Sequence, residues 1–161
     1  MKYSVMATTV TGLEDIASKE VSALLGVEAR PDRSRIFFET DLEGMYLANL
    51  RSRCIHRLFI LVHRGEAKSL DDIYEQVKSV SLTDYISPQS SFAIRAQRHG
   101  EHPFTSLDIA AAAGGAVIEA YLREKGVRLR VDLRNPDVEV YVLLRNSELL
   151  VGVNTTGESL H

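Results

Sequence analysis

Arg95, Arg98, His99, His102, Thr105 and Ser106 fall within one short stretch of this chain. The arginines belong to a β-like run, Ser91–Gln97, and its exit. The histidines occupy a polar loop, and the two hydroxyls open a small-residue run that reads as a helix. Cations beside the free N–H groups of a helix start form a geometry that favours phosphate. Arginine adds a planar fork that grips phosphate oxygens and stacks on bases. Thr105-Ser106 is also an N-cap signal. Capping uses one hydroxyl and leaves the other for a phosphate oxygen. Phe104 fits a hydrophobic staple better than a base-stacking platform. Arg134, in a later Asn-Pro-Asp turn, is a candidate neighbour. The chemistry indicated is nucleic-acid binding, through a strand-to-helix edge, rather than catalysis.

Other chemistries find less support. His99 and His102 make a weak metal pair, with no cysteine or third histidine nearby. There is no GxGxxG after a strand, no GxxxxGK[ST] and no HExxH. The single cysteine, Cys54, excludes an internal disulfide framework and reads as a structural thiol. Gly114-Gly115 interrupts a helical pattern, where each glycine costs about 1 kcal/mol relative to alanine. Close packing of that helix on a sheet is the expected reason.

Composition sets the scale of any RNA or DNA site. The net charge is −3, so the site must be a local patch. Arginines outnumber lysines 14 to 5. They cluster at Arg30/Arg33/Arg35, Arg51/Arg53/Arg57, Arg95/Arg98 and Arg128/Arg130/Arg134. Alternation on a strand would put Arg33 with Arg35, and Arg128 with Arg130, on shared faces. No signal peptide or membrane-length apolar run is seen, and the expectation is a soluble, cytoplasmic protein.

The elements needed to position the site follow from periodicity. Tyr3–Val10 reads as a strand. Leu13–Leu25 reads as a helix with Leu13, Ile16, Ala17, Val21 and Leu24 on one face. Val27–Ala29 and Arg35–Glu39 read as strands around a Pro31-Asp32 turn. Asp41 caps a helix to about Arg53, and His56–His63 reads as a strand. This β-α-β-β-α-β order is the ferredoxin-like pattern. Gly65–Lys68 reads as a linker. A second block follows: a helix over Leu70–Val80, a strand over Ser91–Gln97 and a helix over Ser106–Lys125. Strands over Val127–Leu133, Val138–Leu144 and Leu149–Asn154 complete it, with a hairpin turn at Asn146-Ser147.

The loop from Arg98 to Ser106, with Phe104-Thr105-Ser106 at the helix opening, resembles that of the THUMP domain, a module of RNA-modifying enzymes. So does Val131-Asp132-Leu133-Arg134-Asn135-Pro136-Asp137 followed by Val138-Glu139-Val140. Gly12-Leu13-Glu14 and Arg35-Ile36-Phe37-Phe38 resemble the ferredoxin-like domain that precedes THUMP in RNA guanine-N2 methyltransferases. The tail from Asn154 to His161 resembles the passage into their methyltransferase domain.

The resemblance implies an α+β fold: a ferredoxin-like domain over 1–65 and an α/β THUMP RNA-binding domain over 66–161. It implies recognition of RNA, tRNA first, at its acceptor end. The site residues expected are Arg95, Arg98, His99, His102, Thr105, Ser106 and Arg134. Ribosomal RNA is the second target; a small enzyme in its own right is the rival class, and a stand-alone RNA-binding or protein-interaction adaptor is a third possibility. The chain carries no catalytic motif and no cofactor site of its own. S-adenosylmethionine is expected for a covalently continuous methyltransferase domain, which this sequence lacks. The ending at Leu160-His161 favours a chain that stops at a domain junction over a stand-alone protein.

Overall fold

The computed structural model describes residues 2–154. The expected junction tail beyond Asn154 lies outside them. The fold is mixed α+β, and the chain resolves into two compact units. One reaches to Leu61 and also takes Asn154. The other runs Val62–Val153.

In the first unit the elements are β1 (Tyr3–Thr9), α1 (Glu14–Leu25), β2 (Arg30–Asp32), β3 (Arg35–Thr40), α2 (Leu42–Arg51) and the start of β4 (Ile55–Glu66). Their strand order is β2-β3-β1-β4, with every pairing antiparallel. That is the order a β-α-β-β-α-β chain needs for a ferredoxin-like sheet. Asp41 caps α2 as expected, accepting from the Gly44 N–H at 2.8 Å.

Several local expectations are corrected. Pro31-Asp32 is not the turn. It lies in β2, and the two-residue turn is Arg33-Ser34, with Ser34 at φ +60°. β2 is the edge strand, where a proline that lacks an N–H is tolerated. Val27–Ala29 forms no strand. Helix α1 buries Ala17, Ser18 and Val21, while Ile16 is 56% exposed. The small Ala17 and Ser18 let the helix approach, and this turns Ile16 outward. Arg33 and Arg35 share no surface. Arg33 lies in the turn. Arg35 is 6% exposed on β3, where Nη1 donates to the Arg33 carbonyl and Nε is unpartnered.

Two carboxylates fasten this unit. Glu14 accepts from the N–H groups of Gly12 at 2.6 Å and Ser34 at 2.8 Å, so it ties the start of α1 to the β2–β3 turn. Glu20 accepts from the Arg53 N–H and the Cys54 N–H in the loop after α2. Burial, then the Glu20 charge 3.8 Å away, pushes the Cys54 thiol up, which suits a structural role rather than a nucleophile.

The second unit contains the end of β4, α3 (Leu70–Lys78), β5 (Ser91–His99), α4 (Ser106–Lys125), β6 (Arg130–Val131), β7 (Val138–Arg145) and β8 (Glu148–Asn154). The strand order is β8-β7-β5-β6. β5 runs parallel to both β7 and β6, and β7 runs antiparallel to β8. The expected linker is partly strand, since β4 continues to Glu66. The expected strand Val127–Leu133 shrinks to Arg130–Val131, because Asp132 turns the chain by accepting from the Arg134 and Asn135 N–H groups. Arg128 precedes β6 and shares no strand face with Arg130.

The core of this unit takes alternate residues from the strands. Phe92 and Ile94 of β5, Val140, Val142 and Leu144 of β7, and Leu149, Val151 and Val153 of β8 meet Ile73, Val77, Ile109, Ala113 and Val117 of the helices. Each such side chain contributes about 1.5–3 kcal/mol when fully buried. Helix α4 has the expected bounds and buries the expected face through Tyr121, whose hydroxyl donates to the Ile86 carbonyl at 2.7 Å.

Gly114 and Gly115 are not required by close packing. A Cβ on Gly114 would meet Ile94 at 3.7 Å, and one on Gly115 would meet Tyr74 at 3.7 Å, both ordinary contacts. Gly115→Ala should therefore stabilise the chain by about 1 kcal/mol. Thermal unfolding should rise by about 2–4 °C. A fall in the midpoint would show that the helix depends on the missing Cβ.

Candidate nucleic-acid interface

Strand alternation decides which arginines can cooperate. Along β5, even-numbered Phe92, Ile94, Ala96 and Arg98 point to the helix side, and Arg95, Gln97 and His99 point the other way. Arg95 and Arg98 therefore lie on opposite faces and do not form one cluster.

Arg95 is already committed. Its Nε meets Glu139 Oε2 at 2.6 Å and its Nη2 donates to the Leu133 carbonyl at 3.0 Å. The carboxylate comes from β7 and the carbonyl from the β6–β7 loop, so Arg95 fastens two neighbours to β5. Arg134 sits exposed in that same loop. The loop leaves β6 where β6 pairs with Ser91 and Phe92, toward the N-terminal end of β5. The 98–106 segment leaves the opposite end.

Asp137 closes the N-terminal end. Its carboxylate accepts from the Ser91 N–H at 2.9 Å and the Ser91 hydroxyl at 3.2 Å, and its own N–H donates to the Ser91 Oγ at 3.1 Å. These bonds set the parallel register of β5 with β7. The Val-Asp-Leu-Arg-Asn-Pro-Asp segment is thus a structural latch: Asp132 makes the turn and Asp137 locks it.

At the C-terminal end of β5, Arg98 Nη1 donates to the Gly100 carbonyl at 3.1 Å and lies 3.4 Å from His102 Nδ1. His102 Nε2 is 2.8 Å from the Asn146 carbonyl, and its ring stacks on Phe104 with centroids 5.3 Å apart. Phe104 is buried in the core, as a staple rather than a base platform. Asn146, at φ +56° in the β7–β8 turn, also donates its N–H to the His99 carbonyl at 2.8 Å. Gly100 has φ +102°, and a Cβ there would stand 2.5 Å from Asn146 Oδ1. The loop is therefore bolted to the hairpin. With Nε2 on a carbonyl and Nδ1 facing Arg98, the His102 ring is already employed. Among the described residues no three His, Cys, Asp or Glu side chains gather as a metal site.

The start of α4 offers less to an anion than its sequence implies. Thr105 Oγ1 accepts from the Asp108 N–H at 3.2 Å, and Asp108 accepts from the Thr105 N–H at 2.8 Å, a reciprocal capping box. The Ile109 N–H donates to the Thr105 carbonyl. This leaves the Ser106 and Leu107 N–H groups at the helix mouth, beside the Asp108 charge. That charge already takes up part of the helix dipole.

Sequence reasoning missed two basic residues at this end. Arg145 Nη2 meets Glu148 Oε1 at 3.1 Å, and Arg64 Nη2 meets Glu148 Oε2 at 2.8 Å. Register puts Arg145 beside His99. The Arg145–Glu148 pair was legible, because the two residues flank a two-residue turn. Arg64 carried no such signal.

With this geometry in view, a family model for the THUMP domain matches residues 67–154, and one for an RlmL ferredoxin-like domain matches 4–59. The chain belongs to the THUMP-domain family. Among THUMP relatives, the tRNA (guanine(6)-N2)-methyltransferase of Methanocaldococcus jannaschii is 46% identical over 155 residues, covering 94% of this chain and 41% of that protein. The ribosomal RNA large subunit methyltransferase K/L of Ectopseudomonas mendocina is 29% identical over 160 residues, covering 99% of this chain and 22% of that protein. The crystal structure of TrmN from Thermus thermophilus is 31% identical with a TM-score of 0.74, covering 98% of this chain and 46% of that one. The chain spans less than half the length of each.

The THUMP latch has an acid signature. Hydrogen bonds from the Ser91 N–H, then the Ser91 hydroxyl, hold the Asp137 carboxyl below its ordinary value of 3.8. The folded value is depressed, so the contribution is full above 3.8 and is lost as pH falls through the folded value. Asp137→Asn should therefore be less stable than wild type in denaturant unfolding at neutral pH. The difference should narrow in acid below 3.8. A gap that stays constant with pH would mean that the charge contributes nothing.

Proposed function

We propose that this chain is an RNA-binding module directed to the acceptor end of tRNA, and that it serves a guanine-N2 methyltransferase. One observation carries the reading. Arg98 is gripped through Nη1 alone, and among the described residues its Nε and Nη2 carry no hydrogen bond. A guanidinium held on one side and open on the other is prepared for phosphate. Ser106 and the N–H groups at the mouth of α4 complete the contact surface, with His102 and Thr105 holding its frame, while His99 points to the opposite face of β5 and is secondary. Arg95 and Arg134 are secondary, because the face of β5 and its far end separate them from Arg98. Single-stranded RNA ends expose both phosphates and bases to such a surface.

tRNA is preferred because the relative named for tRNA guanine methylation shares 46% identity, against 29% for the relative named for ribosomal RNA. Ribosomal RNA is the second reading, supported by the ferredoxin-like match over residues 4–59. The same reading divides the chain into a ferredoxin-like domain over 1–65 and an RNA-binding domain over 66–161. The two family matches support it, ending at 59 and resuming at 67. Methyl transfer and S-adenosylmethionine belong to a further domain of a longer protein. The Gly114-Gly115 pair lies in mid-helix, not in the strand-to-helix turn where glycines let a backbone approach a nucleotide-like cofactor. Among the described residues no helix is long and apolar enough to cross a membrane, and the compartment we propose is the cytoplasm.

Arg98→Ala should weaken binding of an acceptor-stem RNA with a single-stranded 3′ end by about tenfold. The plot of log affinity against log salt should become shallower by about one unit. Fluorescence anisotropy at several salt concentrations measures both, and a ribosomal RNA hairpin as competitor separates the two targets. No salt-dependent binding by the wild type would leave the protein-interaction adaptor. Binding unaffected by Arg98→Ala would move the site, with the Arg51/Arg53/Arg57 cluster next in line.

A further inference from the structure

The β7–β8 hairpin turn reaches Arg98 through His102, and its Asn146 side chain also abuts Gly100, whose carbonyl accepts from Arg98. The Asn146 carbonyl can only accept, so His102 Nε2 carries the proton in the 2.8 Å contact between them. A neutral ring then presents the lone pair of Nδ1 to Arg98 Nη1. Nη1 has two hydrogens, and the Gly100 carbonyl and His102 Nδ1 give each an acceptor. The carbonyl of Asn146 is itself fixed. Its residue occupies the left-handed region, its N–H is spent on the His99 carbonyl, and its side chain abuts Gly100. The Phe104 ring, buried in the core, holds the imidazole plane.

We infer that Asn146 and His102 are positioning residues. The hairpin turn selects the Nε2–H tautomer of His102, and that tautomer aims Arg98 at the RNA phosphate. This rests on the RNA-binding reading above. It assigns His102 no RNA contact of its own and brings in Asn146, which sequence marked only as a turn residue.

Two measurements on the full chain test the inference. The first needs no RNA. A long-range ¹H–¹⁵N spectrum of the wild-type imidazoles at neutral pH should show His102 with a protonated Nε2 and an accepting Nδ1. The opposite tautomer, or rapid exchange between the two, would overturn the assignment whether or not RNA binds. The second is a double-mutant cycle on acceptor-stem RNA affinity. Arg98→Ala and His102→Ala should each cost about tenfold. The double variant should be no weaker than Arg98→Ala alone, with the same salt slope. Additive losses would mean that His102 binds RNA directly and would overturn the positioning role. So would full affinity in His102→Ala. If the wild type binds no RNA, the reading of the previous section fails, and the tautomer alone decides whether the hairpin sets Arg98. The tautomer is read on the wild type, so the test survives a His102→Ala chain that fails to fold.

Discussion

Everything at the candidate interface depends on the parallel pairing of β5 with β7. That ladder runs from Phe92 opposite Val138 to His99 opposite Arg145. A parallel pair cannot be closed by a tight turn, so its register needs fixing by other means. At the N-terminal end Asp137 supplies three bonds to Ser91. In the middle the Arg95–Glu139 pair crosses the two strands. At the C-terminal end the Asn146 N–H reaches the His99 carbonyl. A register slip of one residue would move Arg98 to the other face, away from His102 and the start of α4.

Arginine abundance is a poor guide to where RNA would bind. Arg35 is buried, Arg95 bridges strands, and Arg64 and Arg145 converge on Glu148. The functional distinction is how much of each guanidinium the fold consumes. Arg98 donates through one nitrogen to two local acceptors and keeps its remaining edge. In a chain of net charge −3, such a residual donor matters more than the overall cation count.

Much of this was legible in the sequence. Helix α4, the caps at Asp41 and Thr105, and the Asn146-Ser147 turn follow from local chemistry with short reach. Errors arose where tertiary pairing outweighs local preference. Pro31-Asp32 has turn composition, yet pairing with β3 draws it into an edge strand. Arg95 and Arg98 looked like one cluster because sequence distance hides strand alternation. The hydroxyls and N–H groups at the start of α4 looked open because the Asp108 half of the capping box was overlooked. Asn146 lies far along the chain from His102, and only the β5–β7–β8 arrangement brings them together.

The central claim is that RNA meets the C-terminal end of β5, not its N-terminal end or the first unit. Amide chemical-shift mapping during titration with an acceptor-stem RNA bearing a single-stranded 3′ end tests it most directly. The account predicts the largest perturbations over residues 98–107 and around Arg145–Glu148, with Ser91–Ile94 and Arg130–Asp137 little changed. Perturbations concentrated at Arg51–Arg57, or at Arg134 and its turn, would contradict it.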